Sequence, residues 1–164
     1  MTLVALLLSI IAGIVSLAYG YSQEGYADPA LWIILLGIAW VLTHWRRLYW
    51  FSSVALLSMI FAAGFGVWQE FPLVWMFLGA LGGLLGWDLS DFARRLRYAA
   101  PTDDVEGMER RHLMRAGIVA GLGLGLAYLS TLLQVRRLAF EVALGLILLA
   151  AFGLTRLVMR LRKY

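Results

Sequence analysis

The sequence contains no cysteine. That excludes disulfides, thiolate metal sites and redox-active thiols. Charge is nearly as scarce. Only 15% of residues are charged, against about a quarter in soluble domains. Lysine occurs once, as Lys163, and arginine 13 times, an asymmetry best read as a genome-composition bias. The two histidines, His44 and His112, leave little room for imidazole chemistry. Also missing are a Ser-His-Asp grouping, a P-loop and a Gly-rich nucleotide turn after a strand, so the chain reads as non-enzymatic, with no cofactor.

What is present is apolar. Hydrophobic residues make up 62% of the 164-residue chain, and the mean hydropathy is +0.82. Several runs reach the roughly 17–25 residues that span a hydrocarbon core as a helix. Barrel strands would read as short alternating segments, which these are not. The sequence therefore predicts an all-α, polytopic integral membrane protein of a plasma (inner) membrane, with a single transmembrane domain over residues 1–164. Six spans are expected, at about 3–21, 30–45, 48–68, 73–87, 116–134 and 138–158. The first has no basic residue before it and is read as uncleaved. A polar cytoplasmic hairpin is expected over about 88–115. In it Asp103 is placed to cap a helix, with Glu106 three residues on as in a capping box.

Orientation follows from the basic residues in the short connections. With both termini cytoplasmic, 12 of the 14 lie inside, and only Arg136 and Arg137 lie outside. Glu24, Asp28 and Glu70 then mark the outer loops. Trp32, Trp68 and Trp75 form an outer aromatic belt, Trp45, Trp50 and Trp87 an inner one, and Trp40 lies deep. The segments RRLYWFSSVAL (46–56) and RRLAFEVAL (136–144) share Arg-Arg-Leu, an aromatic and Val-Ala-Leu. Two inverted three-helix halves, as in some transporters, would produce such a pair.

Few residues carry candidate chemistry. In GWDLSDFARRLR (86–97), Asp91 and Arg95 are spaced as an acid-first i,i+4 pair. Leu85, Leu89, Phe92 and Leu96 share one face. The bland reading is a helix leaving the bilayer, its arginines drawn to anionic headgroups. Asp88-x-x-Asp91 followed by Ala93-Arg94 also resembles part of the motif of CDP-alcohol phosphotransferases. That resemblance implies a lipid-headgroup enzyme using Asp88, Asp91, Arg94 and Arg95. It covers about seven residues. The family's glycine after the second Asp and its later acidic pair are missing, so the helix-exit reading is preferred and no metal site is assigned. The length, seven tryptophans and positive-inside pattern resemble the tryptophan-rich sensory family in composition. That family has five spans and an Asn-x-x-Trp segment that this chain lacks.

Glu109-Arg110-Arg111-His112 contains one Glu-x-x-His, where a di-metal site needs two, and reads as a solvated helix start. His44 could ligate a haem, but an interfacial histidine is the simpler reading. Glu141 is the single acid inside a span, and Arg137 four residues earlier offers it a local partner. Gly117, Gly121 and Gly125 form a ridge of small residues on the fifth span, and Gly79/Gly83 and Gly82/Gly86 do so on the fourth. Such ridges let helix backbones approach. Packing of spans four and five against each other is the expected use, and a homo-oligomer or membrane-protein seam the alternative.

The leading expectation is a small non-enzymatic subunit or assembly partner of a larger membrane complex. Its partners would be membrane lipids, with anionic headgroups at the Arg cluster, and no nucleic acid. An oligomeric transporter or channel of two inverted halves comes second, and the lipid-headgroup enzyme third.

Overall fold

A computed structural model of the chain describes residues 1–98 and 104–132. Every regular element among them is an α-helix: α1 (Thr2–Gln23), α2 (Ala27–Trp45), α3 (Trp50–Trp68), α4 (Leu73–Leu96) and α5 (Val105–Leu132). Contacts divide the chain into two compact units, residues 1–122 and 123–164. The first holds α1–α4 and most of α5. The described part of the second is the last stretch of α5.

Among the described residues, four helices, α1 to α4, are long and apolar enough to cross a membrane. The chain is thus a membrane protein by the physical character of its helices. The sixth expected span, and the end of the fifth, lie outside the described residues. So do Arg136, Arg137 and Glu141, and with them the second copy of the Arg-Arg-Leu segment.

The first three helices end in the same way. After α1 the amides of Gly25 and Tyr26 donate to the carbonyls of Ser22 and Tyr21, at 3.2 and 3.0 Å. After α2, Arg47 and Leu48 donate to His44 and Thr43, at 3.1 and 2.9 Å. After α3, Glu70 and Phe71 donate to Val67 and Gly66, at 3.1 and 2.9 Å. These are Schellman turns, which satisfy orphan carbonyls and reverse the chain within a few residues. Each needs a left-handed residue at its corner: Gly25 at φ 81°, Arg47 at 64° and Glu70 at 64°. Two of the three are therefore not glycine, and strain is held at both.

The tight reversals make neighbouring helices antiparallel. The core stripe of α1 is Leu6, Ile10, Ile14, Leu17 and Tyr21, all buried and spaced three or four residues apart. It meets α4 most extensively, α2 next and α3 least. Around it gather Ile33 and Trp40 of α2, Ala55 and Met59 of α3, and Met76 and Leu89 of α4.

Glycine sets the closest contacts. A Cβ on Gly13 would stand 3.0 Å from the backbone of Gly82, and one on Gly82 would strike the Cα of Gly13 and come within 2.9 Å of the Ser9 carbonyl. The α1 and α4 backbones thus touch there. Gly79 receives Leu17, and Gly83 faces Met59 of α3. A Cβ on Gly86 would meet Ile10 at 3.0 Å and Trp40 at 3.2 Å. This corrects the expected pairing of spans four and five. The α4 glycines are filled by α1, α2 and α3, while a Cβ on Gly117 or Gly121 of α5 would meet no described atom within 4 Å. Glycine spacing marks a face fit for close approach; it does not identify the helix that approaches.

At the end of the bundle opposite the arginine turns, Tyr21 Oη donates to the Ala62 carbonyl at 2.7 Å, joining α1 to α3. Its ring meets Phe71 edge-on at 5.1 Å, and buried Phe71 pins the α3–α4 turn. Hydroxyls within the helices back-bond one turn away. Ser9 donates to Ala5 and Thr43 to Ala39, each at 2.8 Å. Side chains that would be costly in hydrocarbon are satisfied in this way.

Candidate functional site

Polar chemistry concentrates at one end of the bundle. Antiparallel packing brings the α2–α3 turn, with Arg46 and Arg47, to the same end as the finish of α4, with Arg94, Arg95 and Arg97. The opposite end carries Glu24, Asp28 and Glu70.

Helix α4 continues unbroken beyond Trp87 to Leu96, so the opening turns of the expected polar hairpin are helical. Its last turn presents a carboxylate between two guanidinium groups. Asp91 Oδ1 accepts from Arg94 Nη2 at 2.7 Å, and Asp91 Oδ2 accepts from Arg95 Nε at 2.8 Å. The expected Asp91–Arg95 pair is present, and Arg94 adds a second from i+3. The Arg94 and Arg95 side chains nevertheless remain 51% and 76% exposed.

Asp88 turns elsewhere. Its Oδ2 lies 2.9 Å from His112 Nε2 on α5, a close contact that is not aligned as a hydrogen bond. The His112 ring stacks on Phe92, with centroids 3.9 Å apart and planes 6° from parallel. The structure thus gives Asp88 a neighbour from the next helix. The two aspartates therefore face different partners and do not converge.

A second contact joins the start of α5 to the start of α1. Glu109 Oε2 lies 3.2 Å from the Met1 nitrogen. The buried Thr2 hydroxyl, with no partner in hydrogen-bond geometry, lies beside the same carboxylate. Thr2 first, and the Met1 nitrogen after it, hold the Glu109 carboxyl below its ordinary range, against an opposing effect of burial.

The cap of α5 corrects the expected box. Asp104, not Asp103, receives the N3 amide: Gly107 N donates to Asp104 Oδ1 at 2.9 Å. This makes Gly107 the N3 residue, so Glu106 is one position early for a capping box. Asp103 itself lies outside the described residues.

His44, at the foot of α2, is half-buried, and its ring meets Tyr49 edge-on at 5.8 Å. Tyr49 in turn carries Arg97 over its ring at 5.6 Å, within cation–π range. Gly125 continues the α5 face of Gly117 and Gly121, where Met114 and Ile118 are exposed.

The sequence reading missed a pocket of about 100 Å³ between the first turn of α3 and the last turns of α4. From α4 it is lined by Trp87, Ser90, Asp91 and Arg94, which share one face at helical spacing. From α3 come Trp50, Ser52 and Ser53, with Tyr49 just before the helix. Trp87 Nε1 donates to Ser53 Oγ at 3.1 Å and so links the two helices across the gap. The α4 half was readable from that spacing. Its juxtaposition with Ser52 and Ser53 is tertiary and had no sequence signal.

Comparisons with family models, with curated proteins and with solved structures return no match.

Proposed function

We propose that the chain is a non-enzymatic, six-span membrane protein with both termini cytoplasmic, and that it acts as a small subunit or assembly partner of a larger membrane complex. One observation carries the association: the glycine ridge of α5, which no described residue covers. Glycine costs a helix about 1 kcal/mol relative to alanine, a cost that close packing offsets at Gly82. At Gly117 and Gly121 no described atom offsets it. A ridge of this kind gains from a helix that closes on it. Support for the orientation comes from charge: among the described residues the arginines gather at one end of the bundle, and the other end carries Glu24, Asp28 and Glu70 with no arginine.

Asp91 also speaks against the headgroup-enzyme alternative. Both of its oxygens are held by guanidinium groups, and a two-metal phosphoryl site needs carboxylates converging on ions about 3.5–4 Å apart.

Purification of the tagged chain from its native membrane in mild detergent, with mass spectrometry of what stays bound, tests the association. A stoichiometric protein or a second copy is expected, and Gly121→Leu should release it while the bundle stays folded. A wild-type chain that is monomeric and alone, and indistinguishable from Gly121→Leu, would contradict the reading.

A further inference from the structure

We propose that the pocket between α3 and α4 is a binding site for one phosphate group, presented by an anionic lipid headgroup or taken up as free phosphate. The inference rests on the membrane reading of α3 and α4 and not on the proposed partner protein.

Position comes first. The pocket lies at the arginine-bearing ends of two apolar helices, flanked by Trp50 and Trp87. Tryptophan favours the headgroup level of a bilayer. The site is thus at the depth where lipid phosphates lie.

Size and donors agree. About 100 Å³ holds a few waters, and so a single tetrahedral oxyanion rather than an acyl chain. Ser52 and Ser90 spend their protons on the carbonyls of Tyr49 and Gly86, at 2.6 and 2.7 Å. Ser53 differs. Its oxygen accepts from Trp87, and among the described residues its own proton has no acceptor. Arg94 commits Nη2 to Asp91 at 2.7 Å, which fixes its direction, and among the described residues its other N–H groups have no acceptor. A hydroxyl and an oriented guanidinium on opposite walls are the donors a phosphate needs, and arginine suits its geometry.

Charge favours an anion despite the carboxylate in the wall. Asp91 is already matched by Arg94 and Arg95, and Arg97 stands over the ring of Tyr49. The local balance is positive. A metal ion or a headgroup amine would have to displace guanidinium from Asp91, whereas a phosphate adds to the arrangement as it stands.

The test uses the purified full chain in detergent, read by native mass spectrometry during titration with phosphatidylglycerol or with phosphatidylcholine. A parallel calorimetric titration uses inorganic phosphate. Arg94→Gln and Ser53→Ala are compared with Arg111→Gln, which removes the same charge from an exposed position on α5. Preferential retention of phosphatidylglycerol identifies a lipid headgroup, and saturable binding of inorganic phosphate alone identifies the free ion. In either case Arg94→Gln should lower retention by about tenfold or more, the loss of a charge-assisted hydrogen bond, and Ser53→Ala by a few-fold. Arg111→Gln should change it little. Binding of neither ligand above the phosphatidylcholine level would overturn the proposal. So would loss in Arg94→Gln or Ser53→Ala no greater than in Arg111→Gln. Any bound protein appears in the same spectra as a separate mass, so failure of the partner reading is distinguishable from failure of this one.

Discussion

At the scale of single residues, two side chains have consequences that their sequence positions do not suggest. Trp40 is almost fully buried, and its indole N–H has no hydrogen-bond partner among the described residues. An unpaired buried donor costs on the order of 1–3 kcal/mol, which offsets part of what the large ring contributes by packing. Trp40→Phe should therefore cost less than about 1.5 kcal/mol in detergent unfolding, and Trp40→Ala about 3–5 kcal/mol. Equal damage from both would mean that the N–H is satisfied. Glu109 titrates in the opposite direction from a buried acid. Its folded value is depressed, so its carboxylate stabilises the α1–α5 contact above the ordinary value of 4.5, and that stability is lost as pH falls through the lower folded value. Thermal stability should drop across that acidic window in the wild type, and more shallowly in Glu109→Gln. At this scale the sequence was informative where partners share a helix. Asp91 with Arg95 follows from one turn of spacing, whereas Asp88 with His112 requires the fold.

Among elements, the decisive contact is the crossing of α1 and α4 at Gly13 and Gly82. Added methyl groups separate backbones in contact, and overpacking of this kind costs about 1–3 kcal/mol. Gly82→Ala should destabilise the bundle by that amount. Gly117→Ala, placed where the described structure is open, should leave detergent stability unchanged or raise it by up to about 1 kcal/mol. Denaturation of the two variants side by side separates a packed glycine from an open one; equal losses would refute the assignment of faces. The Schellman corners offer a subtler case. Glu70→Gly relieves left-handed strain but frees the unfolded chain, and a small net gain, below about 1 kcal/mol, is expected in the same assay. The bounds of α1, α2 and α3 were legible from apolar length and polar breaks to within a few residues, whereas α4 continues past 87 to Leu96. The corners were not, because Arg47 and Glu70 stand where glycine would have signalled the turn. Nor was the α1–α4 partnership, since several helices offered small residues at suitable spacing.

For the whole molecule, the central claim is a membrane bundle with its arginine end in the cytoplasm. Membrane character was legible from composition alone, because no soluble core accounts for so much apolar sequence with so little charge. Orientation is legible only through the distribution of Lys and Arg, a bias that acts during insertion and leaves no mark in helix packing. The absence of cysteine makes the direct test clean. Single cysteines are placed at Gly25 and Glu70, at one end of the bundle, and at Arg47 and Tyr98, at the other. Intact cells or right-side-out vesicles are then treated with a membrane-impermeant maleimide, before and after permeabilisation. The account requires labelling at 25 and 70 from the outside, and at 47 and 98 only once the membrane is opened. Labelling at 47 and 98 from the outside would reverse the orientation, and equal labelling at all four positions without permeabilisation would contradict the membrane bundle itself.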